Sequence, residues 1–127
     1  MTISKFNAEG YYDPTPYKAL KKKYMPLVYI ASPFSGDVER AKRYCRFAIN
    51  KGFIPLAPHL HYPRFLDDED IQERELGLHI ALILLGKCEE LWVFGNISQG
   101  MVDEIAKAER RNMPIKYFNT SCEEVPK

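Results

Sequence analysis

The sequence has little of what marks a specialised class. Three cysteines occur in 127 residues, Cys45, Cys88 and Cys122, widely spaced and odd in number. They fit neither a disulfide framework nor a zinc pattern, and point to a reducing, cytoplasmic setting. Charge of one sign is also lacking: 18 Lys and Arg stand against 17 Asp and Glu, for a net +1. That gives no electrostatic argument for nucleic acid or an anionic membrane as partner. No apolar run reaches the length of a membrane span. Residues Met1 to Lys5 lack the apolar core of a secretory signal. No glycine-rich Walker loop is present, because its lysine and spacing are missing.

What remains is an ordinary globular composition, 46% hydrophobic and 28% charged, of a length that suits one core. Residues 1–24 are polar, with Pro14, Pro16 and a Lys21-Lys22-Lys23 run, and read as an arm without its own core. Tyr11, Tyr12 and Tyr17 offer ways to pack that arm onto the body or a second subunit. Residues 25–119 read as the α/β domain and residues 120–127 as a polar tail.

Within the domain, Leu27 to Ser32 is a continuous apolar run, as in a strand covered on both faces. A turn at Pro33 to Gly36 leads to Asp37 as helix cap, and the helix over about 38–51 stops at Gly52. Its apolar positions are Val38, Ala41, Cys45, Ala48 and Ile49. A second strand, Phe53 to Ala57, contains Pro55 and so belongs at a sheet edge. Acids from Asp67 to Asp70 start a helix that reaches Gly86. A strand from Leu91 to Phe94, a helix after Ser98 to about Asn112, and a strand at Met113 to Phe118 complete the order β-α-β-α-β-α-β. Such alternation predicts a single-domain Rossmann/flavodoxin-like three-layer sandwich with a mostly parallel sheet of four or five strands. Ligands then bind at the carboxyl ends of the strands.

Three stretches converge there. Ser32, Pro33, Phe34, Ser35 and Gly36 form either a phosphate-binding turn or a plain strand-to-helix connection. His59 and His61 are open to three readings: a metal pair lacking a third ligand, contacts to a base or phosphate, or loop filler. Ser98, Gly100 and Met101 open a helix whose second turn carries Glu104. A glutamate there can serve as nucleophile beside a sugar. It can equally be an exposed acid on a capped helix.

Taken together, these residues resemble a known family. Val28-Tyr29-Ile30-Ala31-Ser32-Pro33-Phe34-Ser35-Gly36 is similar to the opening strand and loop of nucleoside 2-deoxyribosyltransferase-like proteins. Leu91 to Gly95 followed by Ser98-Gln99-Gly100-Met101-Val102-Asp103-Glu104 resembles their closing strand, loop and catalytic-glutamate helix. The likeness runs from about Leu27 to Phe118 and is nearest to a small bacterial and phage branch. It implies chemistry at the N-glycosidic bond of a deoxynucleoside or its monophosphate, in a homo-oligomer, with no cofactor and no metal. Glu104 would be the nucleophile, Tyr29 would orient it, and Ser32, Ser35 and Gly36 would line the sugar or phosphate pocket. Ser98 stands where transferases carry an aspartate that protonates the base; the related deoxynucleotide N-hydrolases carry a serine there and use it for phosphate. Glu89, after Cys88, stands in place of the family's second acid. The hydrolases' first-loop arginine is missing, leaving Arg40, Arg43 or Arg64 to supply that charge. The alternative is a nucleotide or ADP-ribose-like sensor on the same fold without turnover. A third class, a partner-binding protein, would use the tyrosine-rich arm and leave the crevice blocked.

Overall fold

The computed structural model of the chain describes residues 24–33 and 38–127. The expected arm over 1–23 and the turn over 34–37, with Phe34, Ser35, Gly36 and the Asp37 cap, lie outside the described residues.

Strand β1 (Leu27–Ala31) is followed by helix α1 (Val38–Asn50) and strand β2 (Ile54–Leu56). Two short 3-10 turns, Pro58–Leu60 and Tyr62–Arg64, precede helix α2 (Ile71–Leu85). Strand β3 (Glu90–Phe94), helix α3 (Gln99–Arg110), strand β4 (Ile115–Phe118) and strand β5 (Glu124–Val125) complete the chain. The sheet order is β2-β1-β3-β4-β5. The first four strands are parallel, with Val28 opposite both Pro55 and Glu90, and Leu91 opposite Ile115. β5 runs antiparallel, Tyr117 facing Val125. The stretch expected as a polar tail thus supplies the edge strand.

Alternation along the strands sorts the core into two layers. Tyr29, Ala31, Leu91 and Val93 face α2 and α3, packing with Leu85, Met101, Ile105 and Ala108. Val28, Ile30, Trp92 and Phe94 face α1 and meet Tyr44, Ala48 and Phe118. Side chains on both faces of β1 and β3 are buried, which is why their sequences are unbroken apolar runs.

α1 corrects one expectation. Val38 and Ile49 are exposed, while Tyr44 is fully buried between Ala41 and Ala48. Tyr44 stacks on Phe94 with centroids 4.2 Å apart, and Phe94 stacks on Phe118 at 4.9 Å. The inward stripe is therefore Ala41-Tyr44-Ala48, in helical phase. The chain turns out of α1 through Gly52, whose φ of 88° suits glycine.

Pro55 sits where the sheet tolerates it. The Ile54 N–H donates to the Pro26 carbonyl at 2.8 Å. The nitrogen of the next residue then points to the outer edge, where no described strand needs a donor. At α2, the Asp70 carboxylate accepts from the N–H groups of Gln72 at 2.9 Å and Glu73 at 3.2 Å. That cap sets the start of the helix the acids announced.

Phe94→Ala empties the centre of the aromatic layer. It is expected to lower unfolding free energy by about 3 to 5 kcal/mol in chemical denaturation.

Candidate active site

β1 lies between β2 and β3, so the chain leaves it toward one side and returns on the other. The carboxyl ends of β1 and β3 are therefore the switch point at which an open parallel sheet parts its loops. A cavity of about 400 Å³ opens there, lined on the sheet side by Tyr29 and Ser32 and on the helix side by Ser98, Gly100, Met101 and Glu104. His59 and Tyr62 from the 3-10 turns, and Arg74, Gly77 and Leu78 from α2, form the opposite wall.

Two elements fix Glu104. Met101, Ile105 and Ala108 are buried on α3 and set its inward stripe. Glu104 lies in the same phase, so its carboxylate turns toward the sheet. There it meets Tyr29, a buried side chain at the middle of β1, whose phenol, as a donor group, works to hold the carboxyl pKa down. Burial pushes the Glu104 carboxyl up to about 7, against the lowering effect of the Tyr29 phenol, and the neighbouring Asp103 charge adds to the rise. Asp103 itself is exposed. The Tyr29 phenol is held far above its ordinary value by burial and then by the Glu104 charge, so it remains a donor.

On the other side, the Ser32 hydroxyl lies 3.2 Å from His59 Nε2. Burial pushes the His59 imidazole down to about 4, which keeps it neutral at pH 7. At the start of α3, the Ser98 N–H donates to Met101 Sδ at 3.4 Å, and the Ser98 carbonyl accepts from the Met101 N–H at 3.1 Å. A Cβ added at Gly100 would meet no atom within 4 Å, so the backbone there is open to a ligand.

Of the residues singled out by sequence, Tyr29, Ser32, His59, Ser98, Gly100, Met101 and Glu104 come together in this cavity. Glu89 does not. It is exposed, its N–H bonds the Leu27 carbonyl at the amino end of β1, and its carboxylate accepts from the Tyr24 hydroxyl. A residue just before β3 lies at the amino edge of a parallel sheet, opposite the crevice. His61 is exposed as well, its ring set edge-on to Tyr62 and Phe65 at 5.3 and 5.0 Å. Pro33 packs toward the turn at Gly95 rather than lining the cavity. Nor do Arg40, Arg43 and Arg64 line it; the guanidinium on its wall belongs to Arg74. The spacing Arg74-Leu78-Ala81 carries the signal for that wall, one helix face at intervals of four and three. Asp68 and Glu73 also reach the cavity.

A larger depression of about 590 Å³ lies between α3 and β4–β5, away from these groups. Its charged lining is the Glu109–Lys127 pair, 3.1 Å apart. Among the described residues, no three His, Cys, Asp or Glu gather to hold a metal ion. No helix among them is long and apolar enough to cross a membrane.

Residues 26–118 match the model of one family, the Domain of unknown function DUF7768. The chain belongs to that family. No curated protein shows significant similarity to it. Among solved structures, this DUF7768 member is similar to a 2-deoxyribosyltransferase from the psychrotolerant bacterium Bacillus psychrosaccharolyticus, described as a biocatalyst for the synthesis of antiviral and antitumoral nucleosides. The TM-score is 0.59 at 17% identity, over 79% of this chain and 77% of that one. The likeness establishes the α/β fold of a deoxyribosyltransferase for the DUF7768 domain.

The raised Glu104 pKa carries a stability signature. An acid whose folded pKa exceeds its ordinary 4.5 favours the fold when protonated. The penalty is absent below pH about 4.5, grows as pH rises, and is complete above about 7. Glu104→Gln keeps an acceptor for Tyr29 and removes the buried charge. It is expected to stabilise the protein by on the order of 2 to 3 kcal/mol at pH 8 and by almost nothing at pH 4. Paired denaturation curves at the two pH values check this, and the His59 contribution cancels in the difference between variants.

Proposed function

We propose that the protein breaks, or transfers through, the N-glycosidic bond of a deoxynucleoside or deoxynucleoside monophosphate, with Glu104 as nucleophile. The observation that carries this reading is the Glu104 carboxylate, half-buried at the carboxyl end of the sheet, set against the Tyr29 phenol and lining a cavity. A Glu104 oxygen attacks C1′, the bond from C1′ to the base nitrogen breaks, and its electron pair leaves with the base. Water or a second base then attacks C1′ and releases the carboxylate. Tyr29 positions the attacking oxygen and favours its ionised form. Ser32 and His59 stand as contacts to the sugar or base, and Ser98 with Gly100 at the amino end of α3 as the place for a 5′-phosphate. The chemistry calls for no metal or organic cofactor. A cytoplasmic homo-oligomer belongs to the same reading.

A second reading has one observation in its favour. A carboxyl with a pKa near 7 is only partly ionised at neutral pH, and Glu89 is not in the cavity to assist departure of the base. The same cavity would then hold a nucleotide without cleaving it, as a sensor does.

Incubation with deoxynucleosides and their monophosphates, followed by chromatography of the released base, separates the two. For the enzyme, base appears, and Glu104→Ala slows it by about a thousandfold or more. Its kcat/KM climbs with pH to a plateau above about 7, because the nucleophile must be ionised. Tyr29→Phe moves that midpoint upward, since the phenol hydroxyl lowers the Glu104 pKa. Thermal stabilisation by a nucleotide with no base released supports the sensor. Neither response would remove both readings.

A further inference from the structure

Glycine inside a helix is less stable than alanine, because it loses more backbone freedom and has no side chain to pack. Where neither the backbone nor a close neighbour demands it, a glycine on a cavity wall marks space left for a ligand. Gly52 and Gly95 have positive φ, and a Cβ at Gly86 would come within 3.3 Å of the Ile83 carbonyl oxygen. Gly77 has no such reason. It lies in the middle of α2, and its φ is not positive. Outside its own helix turns, a Cβ there would meet one atom within 4 Å, Leu66 Cδ1 at 3.4 Å. That atom is the far end of a side chain that itself lines the cavity. Alanine would therefore fit at Gly77 and would strengthen α2.

The missing methyl leaves a bare strip of helix backbone on the cavity wall. Leu66, Leu78 and Ala81 line the cavity with it and are apolar. α2 and α3 each lead back from the carboxyl edge of the parallel sheet to its amino edge. Gly77 stands six residues after Ile71 at the start of α2, and Glu104 five after Gln99 at the start of α3. At the helical rise both lie about 8 to 9 Å along their helices, so strip and carboxylate line the cavity at a similar depth. A deoxyribose with C1′ at Glu104 sends its base and its 5′ substituent away from the ring in different directions. The 5′ side belongs with Ser98 and Gly100 at the amino end of α3, which directs the base across the cavity to α2.

We propose that Gly77 is a specificity-determining residue, the floor of a slot in which a nucleobase lays its flat face against the bare backbone of α2. Leu66, Leu78 and Ala81 supply the apolar rim. A methyl at 77 would hold the ring off the helix and break the contact over its whole face. The assignment rests on the proposed function for the position of the sugar. Its experiment reads binding and not turnover, so the two fail separately.

Calorimetric titration with 2′-deoxyadenosine, its 5′-monophosphate and 2-deoxyribose 5-phosphate tests it. Gly77→Ala is expected to raise the melting midpoint by about 2 to 6 °C, since the helix gains alanine. It is expected to weaken the base-bearing probes by about tenfold or more, the effect of one misplaced carbon in a fitted pocket. 2-Deoxyribose 5-phosphate, which lacks the base, is expected to bind both proteins alike. His79→Ala lies on the same helix at an exposed position outside the cavity lining. It is expected to leave every affinity unchanged, which separates the slot from helix stability. Wild-type affinity for the base-bearing probes in Gly77→Ala overturns the proposal, and so does an equal loss for the sugar phosphate. A wild-type protein that binds neither base-bearing probe overturns it together with the proposed function. Probes bound as expected with no base released would remove the glycosidase and leave the slot standing.

Discussion

The pairing of Tyr29 with Glu104 joins the middle of the sheet to the second turn of α3, and much of the structure is arranged around it. Tyr29 is immobilised by its strand, which has β2 on one side and β3 on the other. Glu104 is immobilised by the phase of α3, since Met101, Ile105 and Ala108 must stay in the core. Rotating α3 by one residue would turn the carboxylate about 100° away and expose an apolar side chain in its place. Strand register and helix phase thus specify the pair jointly. The carboxylate remains costly to ionise in that position, and one phenol donor offsets only part of the lost hydration.

The crevice that receives this pair follows from the sheet order. Leaving β1, the chain crosses to β2 at one edge, then returns over the sheet to β3 on the other flank. A crevice therefore opens at the carboxyl ends of β1 and β3, and the 3-10 turns with α2 form one of its walls. Gly95, at φ 75°, turns the chain sharply out of β3. A Cβ there would also sit 3.5 Å from Thr120, in the segment before β5. That distance is an ordinary contact, so it is the positive φ that calls for glycine at this turn.

Much of this was legible in the residues, for reasons that also explain what was not. β1 and β3 announce themselves as unbroken apolar runs because both faces are buried. Pro55 marks an edge because it removes a donor. Tyr44 was missed because a tyrosine falls outside an apolar stripe, although its ring is buried against Phe94. Glu89 misled because closeness in sequence to β3 does not say which end of the strand is meant. Arg74 was missed for a different reason. α2 is apolar on nearly every side in its second half, and a helix without a polar stripe has no phase to read. Which of its side chains face the cavity is settled only once it is packed.

The charges around the cavity set a condition on the proposed chemistry. A 5′-phosphate at the amino end of α3 would place a dianion near Glu104, on the same helix. Like charge raises a carboxyl pKa, so the phosphate would suppress the ionised nucleophile that the reaction requires. The Asp103 charge already works in the same direction, and His59 is neutral and cannot offset it. The cation that Arg74 brings to the lining is thus the described group that can reconcile a bound phosphate with an ionised Glu104. A nucleoside imposes no such demand. On the proposed chemistry, taking a nucleotide rather than a nucleoside therefore rests on Arg74 as much as on Ser98.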